Sequence, residues 1–287
     1  MRQKLKLDWE TEPIIGSLSN YEIYLRNKGM RKSTIDNCVL RISKYLEYCG
    51  TAKPSPESTY KFREHLFKKN LSNSSVSNYS FAMRNYHAML GEDVKFPSLP
   101  RRNVIPYFFT ADEVSRIFNC IRNLKHIAMF ECAFYACLRA SELCNLNVED
   151  LDLDNFKLVV RDGKMGKSDV CFLQEPAIDV LRKYLEFRPN LRIDNQYPLF
   201  YTDWGARFNR KNIYHLVMFY KKRAGITKPG NCHVLFRHTL ASLMIKNGCD
   251  LLTIKDTLRH SSIESTMRYL HMCDDTRREK YNEFLRL

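Results

Sequence analysis

The stretch from His233 to His271 reads HVLFRHTLASLMIKNGCDLLTIKDTLRHSSIESTMRYLH. Its apolar residues recur at intervals of three and four and are separated by polar turns, which predicts short helices that fold back on one another. Such turns can bring His233, Arg237, His260 and Tyr269 together. Imidazole and guanidinium groups that converge on one tyrosine are suited to chemistry on a phosphodiester.

The composition is that of a globular protein with enough apolar residues for a sizeable core. Of 287 residues, 44% are hydrophobic, which suits one large domain or two ordinary ones. No run approaches the roughly 18 apolar residues that span a bilayer, and the N-terminal MRQKLKLDWE is not followed by the apolar segment of a signal peptide. We therefore expect a cytoplasmic protein with no membrane partner.

Ten cysteines are scattered along the chain and never form a CxxC pair. This distribution favours reduced, packed thiols over disulfides, and it lacks the clustered spacing of a zinc site. We expect neither a metal nor a cofactor.

The net charge of +14 results from 46 basic and 32 acidic residues. Such a surplus favours a polyanionic partner, and nucleic acid is the first candidate. A basic but merely solvated surface is the alternative. Both the first hundred residues and the remainder are basic, so both parts are expected to contact the same polymer.

The pattern along the chain predicts a mainly α protein with a small β-sheet. Apolar spacing between Pro13 and Leu90 predicts four short helices, and a segment with three prolines from Gly91 to Phe108 predicts an extended connector. Beyond it, Thr110 is a good N-cap for a helix, and two β-like runs flank the turn sequence DGKMGKSD at 162–169. We place a helical domain at 1–95, a linker at 96–108 and a second domain at 109–287.

Several segments together resemble the tyrosine recombinase (phage integrase) family, particularly its short Xer-like members. They are CLRASELCNLNVEDLDL at 137–153, DGKMGKSD at 162–169, Arg-His-Thr at 237–239, and HSS followed by a tyrosine nine residues after its histidine. The resemblance covers nearly the whole chain. It implies a helical, SAM-like core-binding domain followed by a catalytic domain.

The resemblance also implies roles that fit phosphodiester chemistry. Tyr269 would attack the scissile phosphate and form a 3′-phosphotyrosine, while Arg139 and Arg237 hold the nonbridging oxygens with planar cationic groups. Lys164, at the hairpin tip, would protonate the departing 5′ oxygen. Because a phosphotyrosine conserves the bond energy, rejoining would need neither metal nor ATP.

The spacing between the histidine and the second arginine departs from the family pattern, which usually reads His-x-x-Arg. Here three residues separate His233 from Arg237. Positions i+3 and i+4 both lie on the face of residue i in a helix, so the pair can still converge, and we expect His233 to assist deprotonation of Tyr269. The alternative, His238, is adjacent to Arg237 and is expected to face elsewhere. His260 would hydrogen bond the phosphate.

Two further departures replace family glycines. Cys137 stands where a glycine commonly precedes Leu-Arg, and we interpret it as a packing residue. Arg259 stands where a glycine usually precedes the histidine. We interpret Arg259 as a surface residue, with a third phosphate ligand as the alternative.

Contacts with DNA are expected from basic residues in the first domain and the linker. Helix N-termini near basic side chains bind phosphates, which favours Arg31, Lys32 and Arg84. Arg101 and Arg102 could follow the backbone of the DNA or could simply be solvated.

The segment after Tyr269 predicts an amphipathic C-terminal helix. It packs on its own domain or, as the resemblance implies, docks on a neighbouring protomer. The expected assembly is a homotetramer on paired double-stranded DNA sites, which recombines through a Holliday junction. A type IB topoisomerase-like enzyme and a catalytically lapsed DNA-binding regulator are the alternatives. Chromosome dimer resolution and mobile-element integration or excision both fit the same chemistry.

Overall fold

The computed structural model describes residues 12–100, 107–161, 168–267, 269 and 281. The chain forms two compact units, and it passes from the first to the second after residue 102. Lys164, Arg101, Arg102 and most of the predicted C-terminal helix lie outside the described residues. Within the described ranges, no helix combines the length and apolar character needed to cross a membrane.

The described part of the first unit is helical, as its apolar periodicity predicts. Its helices are α1 Glu12–Asn27, α2 Lys32–Cys49, α3 Pro56–Lys68 and α4 Asn73–Met89. Three tyrosines are fully buried in the core, and each hydroxyl has a partner. Tyr21 donates to the Ala82 carbonyl at 2.9 Å, Tyr45 bonds the His87 ring at 3.0 Å, and Tyr86 donates to a backbone carbonyl. Burying these rings is favourable because their polar atoms stay paired.

The described part of the predicted linker packs on this unit. Arg63 of α3 donates to the Pro97 carbonyl at 3.0 Å, and Asn73 of α4 donates to the Pro100 carbonyl at 3.0 Å. Phe96 and Leu99 lie against the helical core. Residues 96–100 are therefore part of the first unit rather than a free connector.

The second unit combines helices with a small antiparallel sheet. Its helices are α5 Ala111–Asn119, α6 Leu124–Tyr135, α7 Ala140–Asn145, α8 Glu175–Phe187, α9 Arg210–Arg223, α10 Thr239–Lys246, α11 Leu251–Thr257 and α12 Glu264–Met267. Its strands are β1 Leu151–Asp152, β2 Lys157–Val160 and β3 Asp169–Phe172, in the order β1-β2-β3. The hairpin pairs Leu158 with Cys171. The fold is mainly α with a small sheet, as predicted.

Helix α6 lies in the core of the second unit. Phe130 of α6 packs edge-on against Tyr220 of α9 and against Phe236, at centroid distances of 5.4 and 5.6 Å. Phe236 and its neighbour Leu235 are fully buried, which fixes the segment immediately before α10. The cysteines of the described ranges are all free thiols, as their scatter predicts.

Candidate active site

Two helix ends with the same geometry place two of the predicted site residues, Arg139 and His260. At the end of α6, Leu138 N–H donates to the Ala133 carbonyl at 2.9 Å and Cys137 N–H donates to the Phe134 carbonyl at 3.1 Å. This is the Schellman pattern, whose C′ residue is left-handed and is usually glycine. Cys137 takes that conformation with φ of 54°. The chain therefore reverses sharply, and Arg139 follows at the N-cap of α7.

The end of α11 repeats the pattern. His260 N–H donates to the Lys255 carbonyl at 3.0 Å, Arg259 N–H donates to the Asp256 carbonyl at 2.9 Å, and Arg259 has φ of 51°. Both family glycines that this sequence replaces therefore lie at C′ of a Schellman motif. A left-handed non-glycine residue costs about 1 kcal/mol. The interpretation of Cys137 as a packing residue holds, since its side chain is buried, but it omitted this backbone requirement.

The extra residue between His233 and Arg237 is absorbed by a π-helical turn. Residues Val234–His238 are π-helical, and Thr239 N–H reaches the Val234 carbonyl, five residues back. A π-turn widens the helix by one residue and so shifts the rotation of the positions within it. The expectation that His238 faces away is wrong for this reason: both histidines lie on the side of Tyr269.

Tyr269 is hydrogen bonded to His238. Its hydroxyl lies 2.5 Å from His238 Nδ1, and His238 Nε2 lies 3.0 Å from His233 Nδ1. Tyr269 is 1% exposed and packs with Cys137, Ile254 and other apolar residues. His233, by contrast, is exposed, and its contact with His238 connects it to the tyrosine.

Arg237 is buried and joins the two helix ends. Its Nη1 donates to the Cys137 carbonyl at 2.6 Å, and its Nη2 donates to the Leu258 carbonyl. The residue is 1% exposed, and burial lowers the pKa of its guanidinium. It still carries its charge at neutral pH, because the ordinary pKa of arginine is above 12. Arg237 thus contributes positive potential and fixes the corners that precede Arg139 and His260.

Arg139, Glu142 and Arg259 form an ion-paired cluster. Glu142 Oε1 accepts from Arg139 Nη1 at 2.5 Å, and Glu142 Oε2 accepts from Arg259 Nη2 at 2.6 Å. Burial opposes ionisation of Glu142, but Arg259 and Arg139 hold the pKa of its carboxyl below the usual range. Arg139 Nη2 also donates to the Arg259 carbonyl at 3.3 Å. Both charged groups and the backbone therefore orient the Arg139 guanidinium.

The interpretation of Arg259 as a surface residue is wrong. Its side chain is 6% exposed, and it also donates to the Ala136 carbonyl at 3.1 Å and contacts Cys171 Sγ of β3 at 2.7 Å. Burial raises the pKa of the Cys171 thiol to about 11, so it remains a neutral partner. Arg259 therefore links α7 and β3 to the corner that carries His260.

The side chains meet at one cavity of about 220 Å³. It is lined by Arg139, His233, His238, Arg259, His260, Ser261, Ser265 and Tyr269. The His260 ring is anchored by a 2.9 Å hydrogen bond between Nδ1 and the buried Thr266 hydroxyl. Among the described residues of this cluster, the three guanidinium groups outnumber the single carboxylate, so the cavity favours an anion.

The structure thus brings together five of the six predicted catalytic residues, with Arg237 beneath the cavity and the others at its wall. Lys164 lies outside the described residues, and so do Arg101 and Arg102. Arg31, Lys32 and Arg84 are exposed on the first unit, the first two at the N-terminus of α2.

Sequence reasoning did not assign His238, Glu142 or the buried role of Arg259. The three-residue gap before Arg237 was the available signal for His238, because an insertion in a helix is commonly absorbed as a π-turn. The residues that the structure describes contain no cluster of His, Cys, Asp and Glu able to hold a metal ion.

Comparison with known proteins gives matches over most of the chain. The family model described as the phage integrase family matches residues 107–275. The tyrosine recombinase XerA of Thermococcus kodakarensis is 32% identical over 262 residues, covering 88% of this chain and 89% of that protein.

Solved structures agree with these sequence matches. The crystal structure of XerA recombinase is 27% identical, covers 95% of this chain and 99% of that one, and has a TM-score of 0.57. The Tn1549 transposon integrase, in complex with transposon right end DNA, has the same fold with a TM-score of 0.72. It is 18% identical and covers 94% of this chain and 99% of that one.

Proposed function

The chain belongs to the phage integrase family and is a tyrosine site-specific recombinase that acts on DNA, and we propose that Tyr269 is its nucleophile. The observation that carries this assignment is the hydroxyl of Tyr269, hydrogen bonded to an imidazole at 2.5 Å beside a cavity rich in guanidinium groups. A buried phenol is a poor nucleophile until its proton is removed, so a neighbouring base is the required activator.

Arg139 and Arg237 stabilise the phosphorane-like transition state. Arg139 lines the cavity and can contact a nonbridging oxygen directly, while the buried Arg237 adds positive potential from below. Fixed charges in a site of low dielectric need no reorganisation as the negative charge develops, which is the main source of such stabilisation. His260, held through Nδ1 by Thr266, directs its other nitrogen toward the same oxygens.

Lys164 completes the mechanism as the acid for the departing 5′ oxygen. In the sequence Lys164 falls between β2 and β3, and Cys171 of β3 contacts Arg259 at the wall of the cavity. The product is a 3′-phosphotyrosine that conserves the energy of the broken bond. A 5′ hydroxyl from another strand then reverses the reaction without ATP or a metal.

We propose that the first unit contributes further contacts with the DNA. Arg31 and Lys32 lie at the N-terminus of α2 and Arg84 lies on α4, all exposed, so phosphates can approach them. Arg101 and Arg102 are proposed to contact the DNA backbone as well. Four protomers on two DNA sites would exchange strands through a Holliday junction, and each C-terminal segment would dock on a neighbouring protomer. The proposed location of this reaction is the cytoplasm.

Covalent trapping tests this proposal. The protein is incubated with fragmented DNA from its host, adducts are captured, and the attachment points define the site. A nicked suicide duplex that carries this site should then give a covalent complex with wild type and none with Tyr269→Phe. Binding without any covalent product in the wild type would contradict the assignment and favour the DNA-binding regulator.

Strand exchange between two sites separates a recombinase from a topoisomerase-like enzyme. Recombinant products from two labelled duplexes are expected. Relaxation of supercoiled DNA without exchange would support the topoisomerase-like alternative.

A further inference from the structure

We propose that the proton of Tyr269 leaves through a relay of two histidines, in which His238 accepts it and His233 carries the charge to solvent. This proposal rests on the proposed role of Tyr269 as the nucleophile. It makes His238 a catalytic residue and His233 a positioning residue that acts through His238.

Two hydrogen-bond contacts connect the buried phenol to the surface. The Tyr269 hydroxyl lies 2.5 Å from His238 Nδ1, and His238 Nε2 lies 3.0 Å from His233 Nδ1. The two imidazole rings are edge to face with centroids 4.3 Å apart. Along this path Tyr269 is 1% exposed, His238 is half-buried and His233 is exposed.

Activation of the nucleophile requires one particular set of tautomers. For His238 Nδ1 to accept from the phenol, its Nε2 must carry hydrogen and donate to His233 Nδ1. His233 then carries its own hydrogen on Nε2. In this arrangement each ring accepts on the side of Tyr269 and donates on the side of solvent.

The step is balanced within the protein and the DNA. The Tyr269 O–H bond breaks, a new N–H bond forms at His238 Nδ1, and the His238 Nε2 proton moves to His233 Nδ1. The phenolate oxygen forms the bond to phosphorus as the bond between phosphorus and the 5′ oxygen breaks, and the 5′ oxygen takes a proton from Lys164, the proposed acid. During rejoining the transfers run in reverse, and the released phenolate regains its proton.

The surrounding charges favour moving the positive charge outward. Arg139, Arg259 and His260 line the same cavity, and Arg237 lies beneath it. An imidazolium confined at His238 would be repelled by these cations, whereas one at the exposed His233 is solvated. The relay therefore lowers the free-energy cost of the imidazolium that forms together with the phenolate.

The π-helical turn is the reason this chain has the relay. With the extra residue absorbed between Val234 and Thr239, His238 faces Tyr269 while His233 lies one step farther out.

The test compares histidine variants in the full-length protein at saturating suicide duplex. The first-order rate of covalent complex formation is measured together with DNA affinity by titration. His238→Ala and His238→Gln should each lose about 100-fold or more, the lower end of the usual effect of a general base. His233→Ala should lose less, about 5- to 20-fold, because His238 can still accept the proton. His215→Ala replaces an exposed histidine of α9 that does not line the cavity and should match wild type.

Chemical rescue separates a proton-transfer role from a structural one. Added imidazole should restore the cleavage rate of His238→Ala in proportion to its concentration and should leave wild type unchanged. Retention of more than a third of the wild-type rate by His238→Gln, or an equal or larger loss in His233→Ala, would overturn the relay, and so would an absence of rescue. If wild type itself forms no covalent complex, the proposed function fails instead.

Discussion

Replacing Arg259 by glycine sets two opposing contributions against each other at one position. The substitution removes a buried guanidinium that bonds Glu142, the Ala136 and Cys137 carbonyls and Cys171 Sγ. It also places glycine at a left-handed position, φ 51°. The net effect on stability measures which contribution is larger.

The structure gives the magnitude of each contribution. Removing one partner of a buried ion pair costs about 3–5 kcal/mol when the other is left alone. Glu142 keeps two bonds from Arg139, at 2.5 Å from Nη1 and 2.8 Å from the backbone N–H, so we expect about 2–3 kcal/mol. Glycine returns about 1 kcal/mol of backbone strain. Arg259→Gly should therefore lose about 1–2 kcal/mol, and Arg259→Ala, which keeps the strain, about 2–3 kcal/mol.

The assay is urea unfolding of the full chain, followed by circular dichroism, with wild type, Arg259→Gly and Arg259→Ala compared at one pH. The difference between the two variants isolates the backbone contribution, since both lack the guanidinium. Equal stabilities for glycine and alanine would refute the strain argument. A glycine variant as stable as wild type would refute the contribution assigned to the ion pair.

Three other predictions concern separate parts of the second unit, with one control in the first. Burial raises the pKa of Glu131 to about 7, so the folded protein loses stability as the pH rises from about 4.5 to 7. The stability gained by Glu131→Gln should grow by about 1–2 kcal/mol between pH 5 and 7.5 in urea unfolding, whereas a constant difference would contradict it. A Cβ on Gly230 would overlap the Phe109 ring, so Gly230→Ala should lower the free energy of unfolding by about 1–3 kcal/mol. Gly16 of α1 faces open space, so Gly16→Ala should raise it by about 0.5–1 kcal/mol. Equal melting temperatures for these two variants would contradict the steric overlap assigned to Gly230. Arg237→Lys keeps a cation but lacks the planar guanidinium that donates to the Cys137 and Leu258 carbonyls. The suicide-duplex cleavage rate should therefore fall at least about 100-fold with unchanged DNA affinity. A rate within threefold of wild type would show that the guanidinium geometry is dispensable.

The amino-acid sequence determined most of the fold. Apolar spacing predicted the four helices between Pro13 and Leu90, since a helix must bury one face. Thr110 predicted the start of α5, and in the structure it forms a capping box with Glu113. Gly-rich DGKMGKSD predicted the hairpin of β2 and β3, because turn residues between β-like runs need little tertiary help.

The sequence also determined which chemical groups the site contains. Arginines, histidines and a tyrosine in these blocks indicate phosphodiester cleavage without reference to the fold. Side-chain chemistry is local, so it can be read without the fold.

Only the tertiary structure decided how those groups are arranged. His233 and His238 both lie within a helical turn of Arg237, and periodicity cannot distinguish an α-turn from a π-turn, which is set here by the burial of Leu235 and Phe236. Likewise, an arginine is neither a typical left-handed residue nor a typical buried one, so its own chemistry does not predict the conformation or the burial of Arg259. Its position depends on Glu142, 117 residues away in the chain, because a long-range ion pair offsets a backbone conformation that the isolated residue avoids.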